Sequence, residues 1–86
     1  MERLDLDSLK LMLEARDEKT SSKRLGELAK ASSTLGRLVA GNPNADPQLL
    51  AELASREDES IRRGVAGNPN APTEVLWELG EEFPEE

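Results

Sequence analysis

Seven residues occur twice in this chain, 26 positions apart: Val39-Ala-Gly-Asn-Pro-Asn-Ala45 returns unchanged as Val65-Ala-Gly-Asn-Pro-Asn-Ala71. In 86 residues such an identity constrains the fold more than any composition does. A unit recurring at a period of roughly 20–50 residues is one supersecondary piece that stacks on its neighbours, because alone it cannot bury its apolar face. The match extends outward. Leu35 aligns with Ile61, Arg37 with Arg63, Leu50 with Leu76, Glu52 with Glu78 and Leu53 with Leu79. All four asparagines lie in the two loops, beside Pro43 and Pro69. A worn copy precedes them. Leu25-Gly-Glu-Leu-Ala29 matches Leu50-Ala-Glu-Leu-Ala54 at a shift of 25, which sets Ala15–Thr20 on Ala40–Ala45. Terminal repeats diverge in this way because they cap a stack with a polar face.

Within each unit the apolar residues follow helical spacing. Leu9/Leu13, Leu35/Val39 and Ile61/Val65 are i, i+4 pairs, and Leu25/Leu28, Leu50/Leu53 and Leu76/Leu79 are i, i+3 pairs. Each pair shares one helix face. Val39, Ile61, Val65 and Val75 are the only β-branched aliphatics, which is poor material for a sheet. The spacing predicts six helices, over about 7–16, 21–31, 34–40, 47–56, 59–66 and 73–82. Leu50, Leu53, Ile61, Val65, Leu76 and Leu79 are expected in the core. Gly41 and Gly67 follow the last helical residue, where a left-handed cap suits glycine. Pro43 and Pro69 stop the helices. Asp46-Pro47 is a restart signal, with Ala71 or Thr73 as the equivalent cap later and Thr20, Ser21 and Ser22 earlier. The Asn42 and Asn68 amides are expected to satisfy backbone groups that a tight loop leaves unpaired.

Composition bounds the chemistry. Cysteine and histidine are absent, so Ser–His and Cys–His units, disulfides and thiolate metal sites are excluded. The six glycines are isolated, without the cluster that cradles phosphate. An enzyme is not expected, nor is any cofactor or metal. No apolar run reaches the length of a membrane span, and Met1-Glu2-Arg3 opens no signal-peptide pattern, so the expected compartment is the cytoplasm.

The net charge of −7 is uneven. Residues 1–45 carry eight Lys/Arg against seven Asp/Glu, and residues 46–86 three Arg against eleven Asp/Glu. Direct nucleic-acid binding needs a basic footprint and is not expected. Arg56, Arg62 and Arg63 form the basic cluster of the acidic half and are expected to pair with Glu57, Asp58 and Glu59.

Two surface features are candidates for partner binding. Glu27, Glu52 and Glu78 hold the same place in the second helix of each unit, and stacking would align them. Trp77, the single tryptophan, aligns with Ala51 and Gly26. It either caps the end of the stack together with Phe83 or anchors an interface.

The run Ile61-Arg-Arg-Gly-Val-Ala-Gly-Asn-Pro-Asn-Ala-Pro-Thr-Glu-Val-Leu-Trp-Glu-Leu79 resembles the leucine-rich repeat variant family in its Asn-Pro, its following Pro and its Leu spacing. Leu35 to Ala54 matches nearly as well, and Thr20 retains the family's Thr. The chain departs from the family pattern at Ala45 and Ala71, where Thr is usual, and at Gly36, where Arg is usual. The resemblance implies an all-α fold: a right-handed α-solenoid, an armadillo/HEAT-like superhelix of about three 25–26-residue two-helix repeats, whose short helices include 3₁₀ turns. The organisation expected is one repeat domain over 1–86, with a degenerate repeat at 9–31, repeats at 34–56 and 59–82, and an acidic tail at 83–86. The function implied is a non-catalytic protein–protein interaction module, with another protein or a second copy of the chain as partner. The alternatives are an acidic nucleic-acid mimic and a small regulatory subunit docking on a larger enzyme.

Overall fold

The computed structural model describes residues 6–82, and those residues form six α-helices and no strand. They are α1 (Leu6–Arg16), α2 (Ser22–Ala31), α3 (Ser33–Ala40), α4 (Pro47–Ala54), α5 (Glu59–Ala66) and α6 (Thr73–Glu82). Phe83 and the tail at 83–86 lie outside the described residues. The short helices are α-helical, not 3₁₀. Helix α3 packs between α1 and α5, and α4 packs on α6, so odd- and even-numbered helices form two layers. Leu25, Val39, Leu50, Leu53 and Val65 are fully buried between them.

The starts follow from capping chemistry. Ser21, Ser32, Asp46 and Asp58 each accept a hydrogen bond from a first-turn N–H, satisfying donors that a helix start leaves orphaned. At α6 the expected caps fail. Pro72 holds the preceding position, its carbonyl accepting from Leu76 N at 2.9 Å, and Thr73 is already helical. The ends also differ from expectation. Gly41 and Gly67 have φ of −91° and −93°, so neither is left-handed. Each N–H instead closes a tight final turn onto carbonyls of its own helix.

What joins one loop to the next is asparagine. Asn42 Nδ2 donates to the carbonyls of Ala15 and Asp17 at 2.8 and 3.0 Å, while its Oδ1 accepts from Asn44 N at 2.8 Å. Asn68 repeats the pattern on Ala40 and Asn42 at 2.7 and 2.9 Å, with Asn70 N on its Oδ1. Asn44 and Asn70 add a second rung, to Thr20 O at 2.6 Å and to Pro43 O. The amides therefore serve the preceding unit's backbone as well as their own loop. In the worn copy Asp17 takes the asparagine's place. Its carboxylate still accepts from Lys19 N at 2.9 Å, and Asp has no amide donor to offer backward.

That ladder fixes a 25-residue offset between α1 and α3, which leaves the face shared by Leu9 and Leu13 outside the core. At this offset Lys10 and Glu14 fall opposite Leu35 and Val39. Helix α1 turns Ala15, Leu11 and Met12 to the core, and Leu9 and Leu13 are 39% and 56% exposed. Leu76 corrects the expected core. Its counterpart Leu50 is fully buried, with α5 and α6 packed on α4, yet Leu76 on the last described helix is 37% exposed. Leu53, Ile61, Val65 and Leu79 are buried as expected.

Leu53→Ala should therefore cost about 2–5 kcal/mol in urea unfolding, and Leu76→Ala clearly less. Equal losses would contradict this packing. Asn68→Asp tests the ladder, because it keeps the shape and removes the donor. A carboxylate facing two carbonyls has its folded-state pKa raised above the unfolded value. Folding then prefers the protonated form, so stability drops at neutral pH and recovers as pH falls through that raised pKa. Asp17→Asn, whose amide finds no earlier loop among the described residues, should change stability by no more than about 0.5 kcal/mol.

Candidate interaction surface

Glu27, Glu52 and Glu78 stand on α2, α4 and α6, each flanked in sequence by two leucines, and all three are exposed. Their electrostatic settings differ. Arg24 Nη1 reaches Glu27 at 3.1 Å, and the same guanidinium holds both oxygens of Glu14, at 2.7 and 3.1 Å. Arg56 Nε and Nη2 clasp Glu52, each at 3.2 Å, while its Nη1 donates to Ala29 O, at the end of α2, at 2.9 Å. Glu78 shares α6 with Glu74, Glu81 and Glu82, and the helix contains no Lys or Arg. Bare negative charge is therefore concentrated on α6, not spread evenly down a column.

The basic cluster meets the expectation in part. Arg63 pairs with Glu59 at 2.7 Å within α5. Arg56 turns to Glu52, not to Glu57. Arg62 Nη1 donates to the carbonyl of Arg56 at 2.7 Å, bracing the α4–α5 loop.

An open groove between α2 and α4 escaped the sequence reading. Gly26 and Leu49 meet at its base, where a Cβ on Gly26 would lie 3.8 Å from Leu49 Cδ1. Lys23 and Lys30 line its α2 side, and Gln48 and Glu52 its α4 side. The signal was present as two lysines seven residues apart on α2, but the lysines gain meaning only once α4 lies beside them. A smaller cleft of about 250 Å³ sits at the other layer, between Leu11, Met12 and Leu35 and the hydroxyls of Ser8, Ser32 and Thr34. Trp77 is 75% exposed, above Thr73, Glu74 and Glu78. Its expected contact with Phe83 lies outside the described residues.

These features define an all-helical protein whose two-helix units are joined by a side-chain ladder. The sequence profile described as a Leucine Rich Repeat Variant domain matches residues 10–68, more than half of the chain. The chain belongs to the leucine-rich repeat variant family. No curated protein and no solved structure matches it. The matched segment ends at Asn68, so α6, with Trp77 and Glu78, lies beyond it. Among the described residues no helix is long and apolar enough to cross a membrane.

The Glu14–Arg24 pair gives a pH test. Hydrogen bonding from Arg24 holds the Glu14 carboxyl below its ordinary value, and Arg24 is raised by Glu14 first and Glu27 second. A depressed carboxylate contributes stability that is present above its unfolded pKa and is lost as pH falls through the folded one. The pair is half exposed, so the contribution is small. In a carboxyl NMR titration Glu14 should titrate below the ordinary glutamate range, and Arg24→Ala should erase the difference. An unchanged Glu14 titration in that variant would refute the pairing.

Proposed function

We propose that this chain is a non-catalytic protein-interaction module of the leucine-rich repeat variant type, a right-handed solenoid of about three 25–26-residue repeats. Family membership supports the repeat architecture, and solenoids bind through surfaces that their repeats line up. The observation that carries the reading is Trp77, 75% exposed on a helix whose charged residues are all acidic. A large indole left in water beside Glu74 and Glu78 has the character of an interface anchor, since tryptophan dominates binding where it is buried by a partner. The partner it fits is a protein with a basic rim around an apolar contact. The pairing of Glu27 with Arg24 and of Glu52 with Arg56 weighs against a nucleic-acid mimic, which needs a regular row of bare carboxylates.

Co-purification with the purified chain as bait tests this. Trp77→Ala should cut recovery of a specific protein by more than about tenfold, the scale of a lost hot spot. Reversal of Glu27, Glu52 and Glu78 to Lys should also weaken it, and rising salt should slow association. Recovery unaffected by Trp77→Ala, with the helical signal intact, would remove the basis of the proposal.

A further inference from the structure

Both ends of the described stack show apolar side chains to solvent. On α1, Leu6, Leu9 and Leu13 are 68%, 39% and 56% exposed. Their i, i+3, i+7 spacing makes them one stripe, opposite the Leu11, Met12 and Ala15 face that packs on the core. A surface helix needs one apolar face, and α1 has two. At about 100° per residue, Lys10 and Arg16 border the outer stripe on opposite sides.

On α6, Leu76 and Trp77 are the exposed apolar pair. Gly80 falls between them around the helix, and a Cβ there would meet nothing within 4 Å, so the space beside the indole is open. Glu74, Glu78 and Glu81 run along one edge. Position 77 is also the counterpart of Gly26, whose neighbour is Leu49 in the following unit. Trp77 thus stands on the side of the helix layer that meets whatever comes next.

The geometry points to a second copy of this chain as the occupant. The α1 leucine stripe of one molecule seats on the Leu76–Trp77 face of the next, which brings one of the stripe's two basic borders against Glu74, Glu78 and Glu81. This rests on the interaction-module reading and names its partner. Charge selects the head-to-tail arrangement. Two α6 faces would set carboxylates against carboxylates, and two α1 stripes would leave the acidic edge unanswered. The joint is made by side chains and does not continue the ladder. Asp17 offers no amide to the carbonyls of a preceding loop, and Trp77 fills the space that Gly26 leaves open. A contact of this heterologous kind leaves one free end on each molecule, so assembly grows with concentration.

Sedimentation of the purified chain from about 1 μM to about 1 mM covers the affinities of a weak specific joint. The wild type should gain mass with concentration and lose it as salt rises. Leu13→Glu and Trp77→Ala should each stay monomeric. Mixed in equal amounts they should form a dimer and stop there, because the mixture holds one intact joint and two dead ends. Both sites are exposed, so helical circular dichroism should be unchanged; Leu6→Glu replaces Leu13→Glu if it is not. A wild type that stays monomeric overturns the inference, and the interaction module stands if Trp77 still governs recovery of another protein. Association that survives Trp77→Ala points to α1 on α1 and also overturns it. So does a mixture that stays monomeric.

Discussion

The rest of this structure depends on two buried carboxamides. Asn42 and Asn68 are 1% and 3% exposed, and each spends its amide N–H groups on a helix-end carbonyl and a loop carbonyl of the preceding unit and its oxygen on its own loop. Leaving a buried carbonyl without a donor costs about 1–3 kcal/mol, so the amide is far more expensive to remove than it is favourable to make. The consequence is register. Hydrophobic contacts are non-directional and tolerate sliding, whereas two hydrogen bonds to named carbonyls do not. The ladder decides which face of α1 meets α3 and leaves the outer leucine stripe in water.

Close approach of the odd-numbered helices is the second condition. A Cβ on Gly64 would fall 2.9 Å from Ala40 Cβ, and one on Gly36 would fall 2.9 Å from Ile61 Cδ1. Gly64 is required by packing, not by backbone conformation, whereas the atom nearest Gly36 is the movable end of a side chain. That packing brings the helices near enough for an asparagine to span from one loop to the next. Arg56 supplies a similar link between the even-numbered helices, reaching Ala29 O across the unit boundary while neutralising Glu52. Its aliphatic stem and fixed fork let one side chain hold two elements.

The sequence made the architecture legible because its repeat is literal. Two identical heptapeptides placed the loops, the proline stops and the asparagines, and i, i+4 pairs placed the helices to within two residues. It misled where neighbours decide the outcome. Leu76 and Leu50 are the same letter in the same motif, and only what packs on them separates 37% exposure from none. Leu9 and Leu13 have faultless helical spacing, yet α1 is apolar on two sides and periodicity cannot choose between them. The left-handed glycine caps failed because a tight turn can close on ordinary backbone angles. The three glutamates are exposed, as expected of solvent-facing positions, but the pairing of two of them was not foreseen. Arg24 and Arg56 lie three and four residues from their partners, but their rotamers also answer to Glu14 and Ala29, which are distant in sequence.

The two ends of the stack differ in a way that follows from the ladder. Each inner loop gives an amide backward and offers carbonyls forward. Asp17 keeps the half of the asparagine's chemistry that shapes its own loop and lacks the half that would reach back. The first described unit is thus complete as a loop and unsuited to follow another of its kind. At α6 the change is one of size, with an indole where Gly26 and Ala51 allow close stacking. Buried polar side-chain atoms among the described residues are all hydrogen-bonded, so the interior is committed to holding the stack. On the proposed reading, recognition falls to residues that break the repeat's own rules, and Trp77, Leu13 and their charged borders are where those breaks gather.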